Sequence, residues 1–161
     1  MASRRRVRYR RQAMTSLLVI AGAGVLIGVL WMDLMFDVQA LGHAGALPEP
    51  VLASIAGYYR RVTTEAWPMG ALIGGSMAVA AGSAAWQLAR RPSWMHAAVL
   101  LLVCIPVALA ARRVLPHAVR LGQRRDAPAE QSRLARAICR DHLACLAMML
   151  AVIALELRAA T

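Results

Sequence analysis

The chain has 161 residues, room for one domain, and 60% of them are hydrophobic, with a mean hydropathy of +0.53. Soluble proteins use roughly 45–50% apolar residues, so this composition excludes an ordinary water-soluble fold. The formal net charge of +11 comes from 19 Arg, no Lys and 8 acids, and the Arg stand in blocks between long uncharged runs, which fits the flanks of membrane spans rather than a specific nucleic-acid face.

The first apolar run, Met14 to Phe36, follows a six-Arg tail and extends 23 residues. About 20 residues cross the hydrocarbon core, and no small-residue cleavage site ends the run before Trp31, so it reads as a retained span and not a signal peptide. Gly24 and Gly28 form a helix-packing notch at which another backbone can approach closely. Gln39 to Pro50, with Gly42, Gly45, Pro48 and Pro50, is a turn-rich exit from the membrane. Over about 51–66, Leu52, Ile55, Ala56 and Tyr59 repeat at helical spacing against Arg60, Arg61 and Glu65, which predicts an amphipathic helix at the headgroups. Pro68 then either bends one long helix or opens a new one.

The second span, about 69–89, carries Gly70, Gly74, Ala78 and Gly82, a four-residue repeat of small side chains that predicts packing against another helix. Arg90 to Ser93 is a short turn that returns the third span, 94–111, antiparallel beside the second, with Ser93 as N-cap and Pro106 inside the helix. The third span is expected to end at Arg112 and Arg113, leaving a basic connector to Arg125. Asp126 and Pro128 then mark a helix start. The interfacial segment of this last helix is expected over about 127–140 and its span over about 138–157. The pattern as a whole predicts an all-α fold: an integral membrane four-helix antiparallel bundle in one domain, with amphipathic extensions before the second and fourth spans.

Cys104, Cys139 and Cys145 form no CxxC pair and read as buried thiols. Cys139, His142 and Cys145 share a helix face but extend over about 9 Å of rise with no fourth ligand in view, so no metal is assigned. His43, His96 and His117 lie in connectors or at helix ends and call for no cofactor.

Nine Arg fall on the side of the termini and ten on the other, so counting does not orient the chain. The six-Arg tail lies directly against the first span, whose flanks usually dominate insertion, and this places both termini in the cytoplasm of a bacterial inner membrane. The expected surroundings are the lipid bilayer and its anionic headgroups, with a homo-oligomer or a larger membrane complex as partner.

In an antiparallel arrangement the end of span one and the start of span two share a level with the end of span three and the start of span four. Asp33, Asp37, Tyr58, Tyr59, Arg60, Arg61, Glu65, Asp141 and His142 all fall near it. Asp33 and Asp37 are one helical turn apart, and a carboxylate at the edge of hydrocarbon is costly unless paired. One reading is a structural ion pair, with Arg60 or Arg61 neutralising Asp33 or Asp37. The other is a ligand pocket in which the carboxylates or His142 move protons and the Arg pair holds an anion.

The motifs Asp33-Leu-Met-Phe-Asp37 and Tyr58-Tyr59-Arg60-Arg61-Val62-Thr63-Thr64, set between a Gly-containing first span and a Gly-rich second one, resemble small uncharacterised bacterial four-helix membrane proteins. In topology the chain is also similar to the anthrone-oxygenase-like group. The resemblance implies the four-helix membrane fold over the whole chain. It matches no catalytic motif residue by residue, so oxygenase chemistry is not carried over. The expected function is a non-catalytic accessory or assembly subunit. The alternative is a small membrane enzyme or binding protein for an apolar ligand with a polar head.

Overall fold

The computed structural model describes residues 2–65 and 67–160, with the backbone alone for 2–12, 67 and 160. Every regular element among them is helical. The chain runs through α1 (Ala2–Asp37), a short 3₁₀ turn (Val38–Ala40), α2 (Glu49–Arg60), a π-helical turn (Arg61–Glu65) and α3 (Trp67–Arg90). It continues through α4 (Trp94–Leu109), a second π-helical turn (Ala110–Val114), α5 (Leu115–Gln123) and α6 (Pro128–Ala160).

Local chemistry sets most of these boundaries. Ser93 accepts from the His96 amide at 3.2 Å and caps α4 as its sequence position predicts. Pro50 sits in the first turn of α2, where a missing N–H costs nothing, and Glu49 beside it suits the positive end of the helix. Asp126 gives its side chain to Arg120, at 2.9 Å, and α6 opens at Pro128.

The two π-turns share one cause. Pro68 cannot donate to the carbonyl of Thr64, nor Pro116 to that of Arg112, and in each case the turn before the proline widens. Leu115 accordingly donates to Ala110, five residues back. The chain therefore stays helical where the sequence pattern predicts a basic connector: residues 112–123 extend the third helix through the π-turn and α5.

Four stretches are long and apolar enough to cross a membrane: Ala13–Ala40, Pro68–Arg90, Trp94–Gln123 and Pro128–Ala159. That length and composition are consistent with a multi-pass membrane protein. α1 packs on α3 and α6, and α4 packs on the same two, so the long helices close into a ring. Its core is Val19, Ala23 and Leu26 of α1, Ala80 and Ala84 of α3, Val99 and Val103 of α4, and Met149 and Val152 of α6. Outward, Leu17, Trp31, Met35, Leu72, Trp86, Leu101 and Leu150 are exposed, as a lipid-facing surface requires.

The 30-residue stretch Trp94–Gln123 is longer than a membrane needs. At 1.5 Å per residue it measures about 45 Å against a hydrocarbon core of about 30 Å, so a single crossing leaves about ten residues, the length of α5, to spare. α5 joins α2 and the first third of α6 around a second core, in which Leu52, Ile55 and Tyr59 meet Leu121, Ala135 and Ile138. The amphipathic face of α2 is thus turned onto protein, forming a helical cap over one end of the long helices. Gly122 permits this: a Cβ there would lie 2.8 Å from the amide nitrogen of Arg60.

The glycines divide by role. Gly22 sets the α1–α3 crossing, since a Cβ on it would meet the Ala80 Cβ and the Ser76 carbonyl oxygen, both at 3.0 Å. A Cβ on Gly24, Gly28, Gly70, Gly74 or Gly82 would meet nothing within 4 Å, and Ala78 is exposed like them. Among the described residues, no other helix therefore comes within contact of where these glycines would carry a side chain.

Candidate functional site

The two cores meet at one polar layer, formed where α1 ends and α2 and α6 pass beside it. Asp33 and Asp37 leave α1 one turn apart, on the same face. Tyr58 and Tyr59 are consecutive on α2 and so point about 100° apart, which lets each reach a different carboxylate. Tyr58 donates to Asp33 Oδ1 and Tyr59 to Asp37 Oδ1, both at 2.6 Å. His142 of α6 stands between the acids, with Nδ1 2.7 Å from Asp37 Oδ2 and Nε2 3.8 Å from Asp33 Oδ2.

Aromatic contacts fix the donors. Phe36 stacks on Tyr58 at 4.2 Å between centroids, and Tyr58 meets Tyr59 edge-on at 5.3 Å. Burial, reinforced by the neighbouring carboxylates, holds both phenols well above their ordinary range, so they remain O–H donors. A carboxylate only accepts, so when Asp37 is ionised the proton it shares with His142 sits on Nδ1 and Nε2 faces Asp33.

The layer is largely buried and nearly saturated. Asp37 is 0% exposed, Tyr59 2% and His142 5%, while Asp33 and Tyr58 are half-buried at the edge. Both Asp37 oxygens are engaged, one by a phenol and one by the imidazole. Chemically, this arrangement ties α1, α2 and α6 together through charge-assisted hydrogen bonds. It also contains a carboxylate-oriented imidazole, which is the element of a proton relay.

The structure brings together Asp33, Asp37, Tyr58, Tyr59 and His142 of the residues read from the sequence. Asp141 is buried beside them but turns to Arg113, whose Nε lies 3.2 Å from Asp141 Oδ2 as an ion pair short of hydrogen-bond alignment. Arg60 faces Glu65 at 3.6 Å across exposed surface, and Arg61 is exposed. The arginine partners expected for Asp33 and Asp37 are therefore replaced by phenols and an imidazole. Sequence reasoning had no route to Arg113, because its meeting with Asp141 depends on the second π-turn.

A second buried polar group lies at the far end of the ring. Glu156 is 2% exposed and accepts from Gln87 Nε2 at 3.2 Å, and the same nitrogen is 3.3 Å from the Ser16 hydroxyl. Met149 and Val152, fully buried and apolar, stand on α6 between the two polar groups. Among the described residues no three or more His, Cys, Asp or Glu side chains are arranged to hold a metal ion. Comparison with family models, with curated proteins and with solved structures finds no match.

Proposed function

We propose that this chain is a non-catalytic multi-pass membrane protein of the bacterial inner membrane, an accessory or assembly subunit that docks through α3 onto a transmembrane helix of a second copy or of a larger complex. The observation that carries this reading is the open small-residue face of α3. Gly70, Gly74, Ala78 and Gly82 recur every fourth position along one side of the helix, all are exposed, and the glycines have empty space where a Cβ would stand. Association in lipid has no hydrophobic driving force and depends on close backbone approach, which such a face offers. The nearly saturated polar layer supports the same reading, since most of its hydrogen bonds are spent inside the chain. With both termini in the cytoplasm, the cap stands on the opposite side.

Gly74→Leu is the test. It adds bulk to the docking face without touching the protein's own packing, so the monomer keeps its melting temperature. Its association, read by native mass spectrometry from membranes, falls about tenfold or more. An unchanged assembly in the variant contradicts the proposal.

A second reading has one observation in its favour: Asp37 orients His142 so that Nε2 faces the half-buried Asp33 across 3.8 Å. That gap fits the polar head of an apolar ligand in a small membrane enzyme or binding protein. Loss of a co-purifying lipid-like ligand in Asp33→Ala, with the fold intact, would carry this reading over the first.

A further inference from the structure

The cap holds a groove that neither the polar layer nor the α3 face uses. It lies between α2 and α5, has a volume of about 410 Å³, and is lined by the small residues Ala53, Gly57 and Gly122 together with Arg60, Arg124 and Arg125. The close approach at Gly122 brings the end of α5 onto the backbone of Arg60. The left-handed residue Arg124, at φ 52°, then ends the helix and turns the chain so that two consecutive arginines flank the groove.

We propose that this groove binds a phosphate-bearing anion. No acidic side chain lines it. Arg124 is matched to Glu49 at 2.8 Å and Arg60 to Glu65 at 3.6 Å, both on exposed surface where ion pairs contribute little and exchange with solvent anions. Arg125 has no ion pair or hydrogen bond among the described residues. Three guanidinium forks suit a group that presents three oxygens and up to two charges, whereas one fork is enough for a carboxylate. The small lining residues leave room for such a group against the helix backbones.

The groove's height selects among phosphate sources. α5 climbs beside α6: Arg113 meets Asp141 at 3.2 Å, and Arg120 meets Glu130 at 3.3 Å. Along α6 those two acids are separated by about 16 Å of rise, more than the depth of roughly 5–8 Å of a headgroup layer. A phosphate carried in solution reaches the groove directly, and a lipid must present one on an extended headgroup.

The experiment uses the full chain in phosphatidylcholine nanodiscs, titrated with inorganic phosphate and read by phosphorus NMR linewidth. Saturable binding is expected, weakened about tenfold in Arg125→Gln. It is lost in Gly57→Leu, whose added side chain enters open space and fills the groove with the fold intact. If free phosphate does not saturate, but native mass spectrometry finds phosphatidylinositol 4-phosphate, added to the nanodiscs as a lipid with an outlying phosphate, retained by the wild type and lost from both variants, the phosphate belongs to a lipid and the site stands. Should Gly57→Leu melt early, the exposed Arg125→Gln decides alone. Binding unchanged in Arg125→Gln, or absent from both arms, overturns the proposal. Gly74→Leu leaves phosphate binding unaltered, which separates this site from the docking face on α3.

Discussion

Asp37→Ala is expected to release the cap from the long helices, with a loss of about 3–5 kcal/mol in unfolding free energy, the range for removing one partner from a buried charged network. The carboxylate is wholly buried, and its removal strands two groups at once: the Tyr59 hydroxyl on α2 and His142 Nδ1 on α6. Neither can turn to water, since both residues are buried. Asp33→Ala, at a half-buried site with one hydrogen bond to Tyr58, is expected to cost only about 1–2 kcal/mol. Chemical unfolding in detergent, followed through tyrosine and tryptophan fluorescence, compares the two. Replacing Asp37, Tyr59 and His142 together by apolar residues of matched volume recovers much of the loss, because the buried layer then has no orphan polar groups. Equal, small effects of Asp37→Ala and Asp33→Ala would remove the layer from its structural role.

Gly22→Leu is expected to separate α1 from α3, where Gly24→Leu leaves the fold alone. The first side chain would start 3.0 Å from both the Ala80 Cβ and the Ser76 carbonyl, on a helix whose neighbouring core residues Val19, Ala23 and Leu26 are already buried. Backbone cannot give way as a flexible side chain does, so the helices must part. Overpacking of this kind costs about 1–3 kcal/mol, and in a ring of four helices the shift is passed on to α6 as well. At Gly24 the Leu would meet only lipid or a partner. Thermal unfolding of the two variants in nanodiscs distinguishes them, and a Gly24→Leu melting as early as Gly22→Leu would contradict this packing.

The contrast between these glycines marks how far the sequence can be read. Spacing alone singles out Gly24 and Gly28, because a four-residue repeat is visible in one dimension. Which side of the helix faces inward is decided by the whole apolar stripe, and that stripe runs through Val19, Ala23 and Leu26, carrying Gly22 with it. The four long helices and the Ser93 cap were legible because hydropathy and capping are local. α5 was not, because Arg112, Arg113 and Pro116 look like a helix end until the turn is allowed to widen. The polar layer was legible in its members and not in its pairing. Opposite charges suggest Arg60 or Arg61 for the carboxylates, but in a buried layer a phenol donates without bringing a charge that must itself be desolvated. Arg60 and Arg61 stay on the exposed side of the π-turn.

One division of labour connects these findings. Polar groups at the level of the π-turns hold the cap to the long helices, Gly22 holds α1 to α3, and the repeat on α3 stays open on the surface. The proposal that a partner covers it is tested most directly by site-directed cross-linking in native membranes. Cys139 and Cys145 are buried, so replacing the exposed Cys104 by Ser leaves a background fit for single added cysteines. With a short bifunctional maleimide, Ala78→Cys is expected to cross-link in good yield to a second copy or to one defined membrane partner. Ile105→Cys, on the exposed face of α4, should stay unlinked. An Ala78→Cys that remains as unlinked as Ile105→Cys would mean that the small-residue face meets lipid, and the assembly role would fall with it.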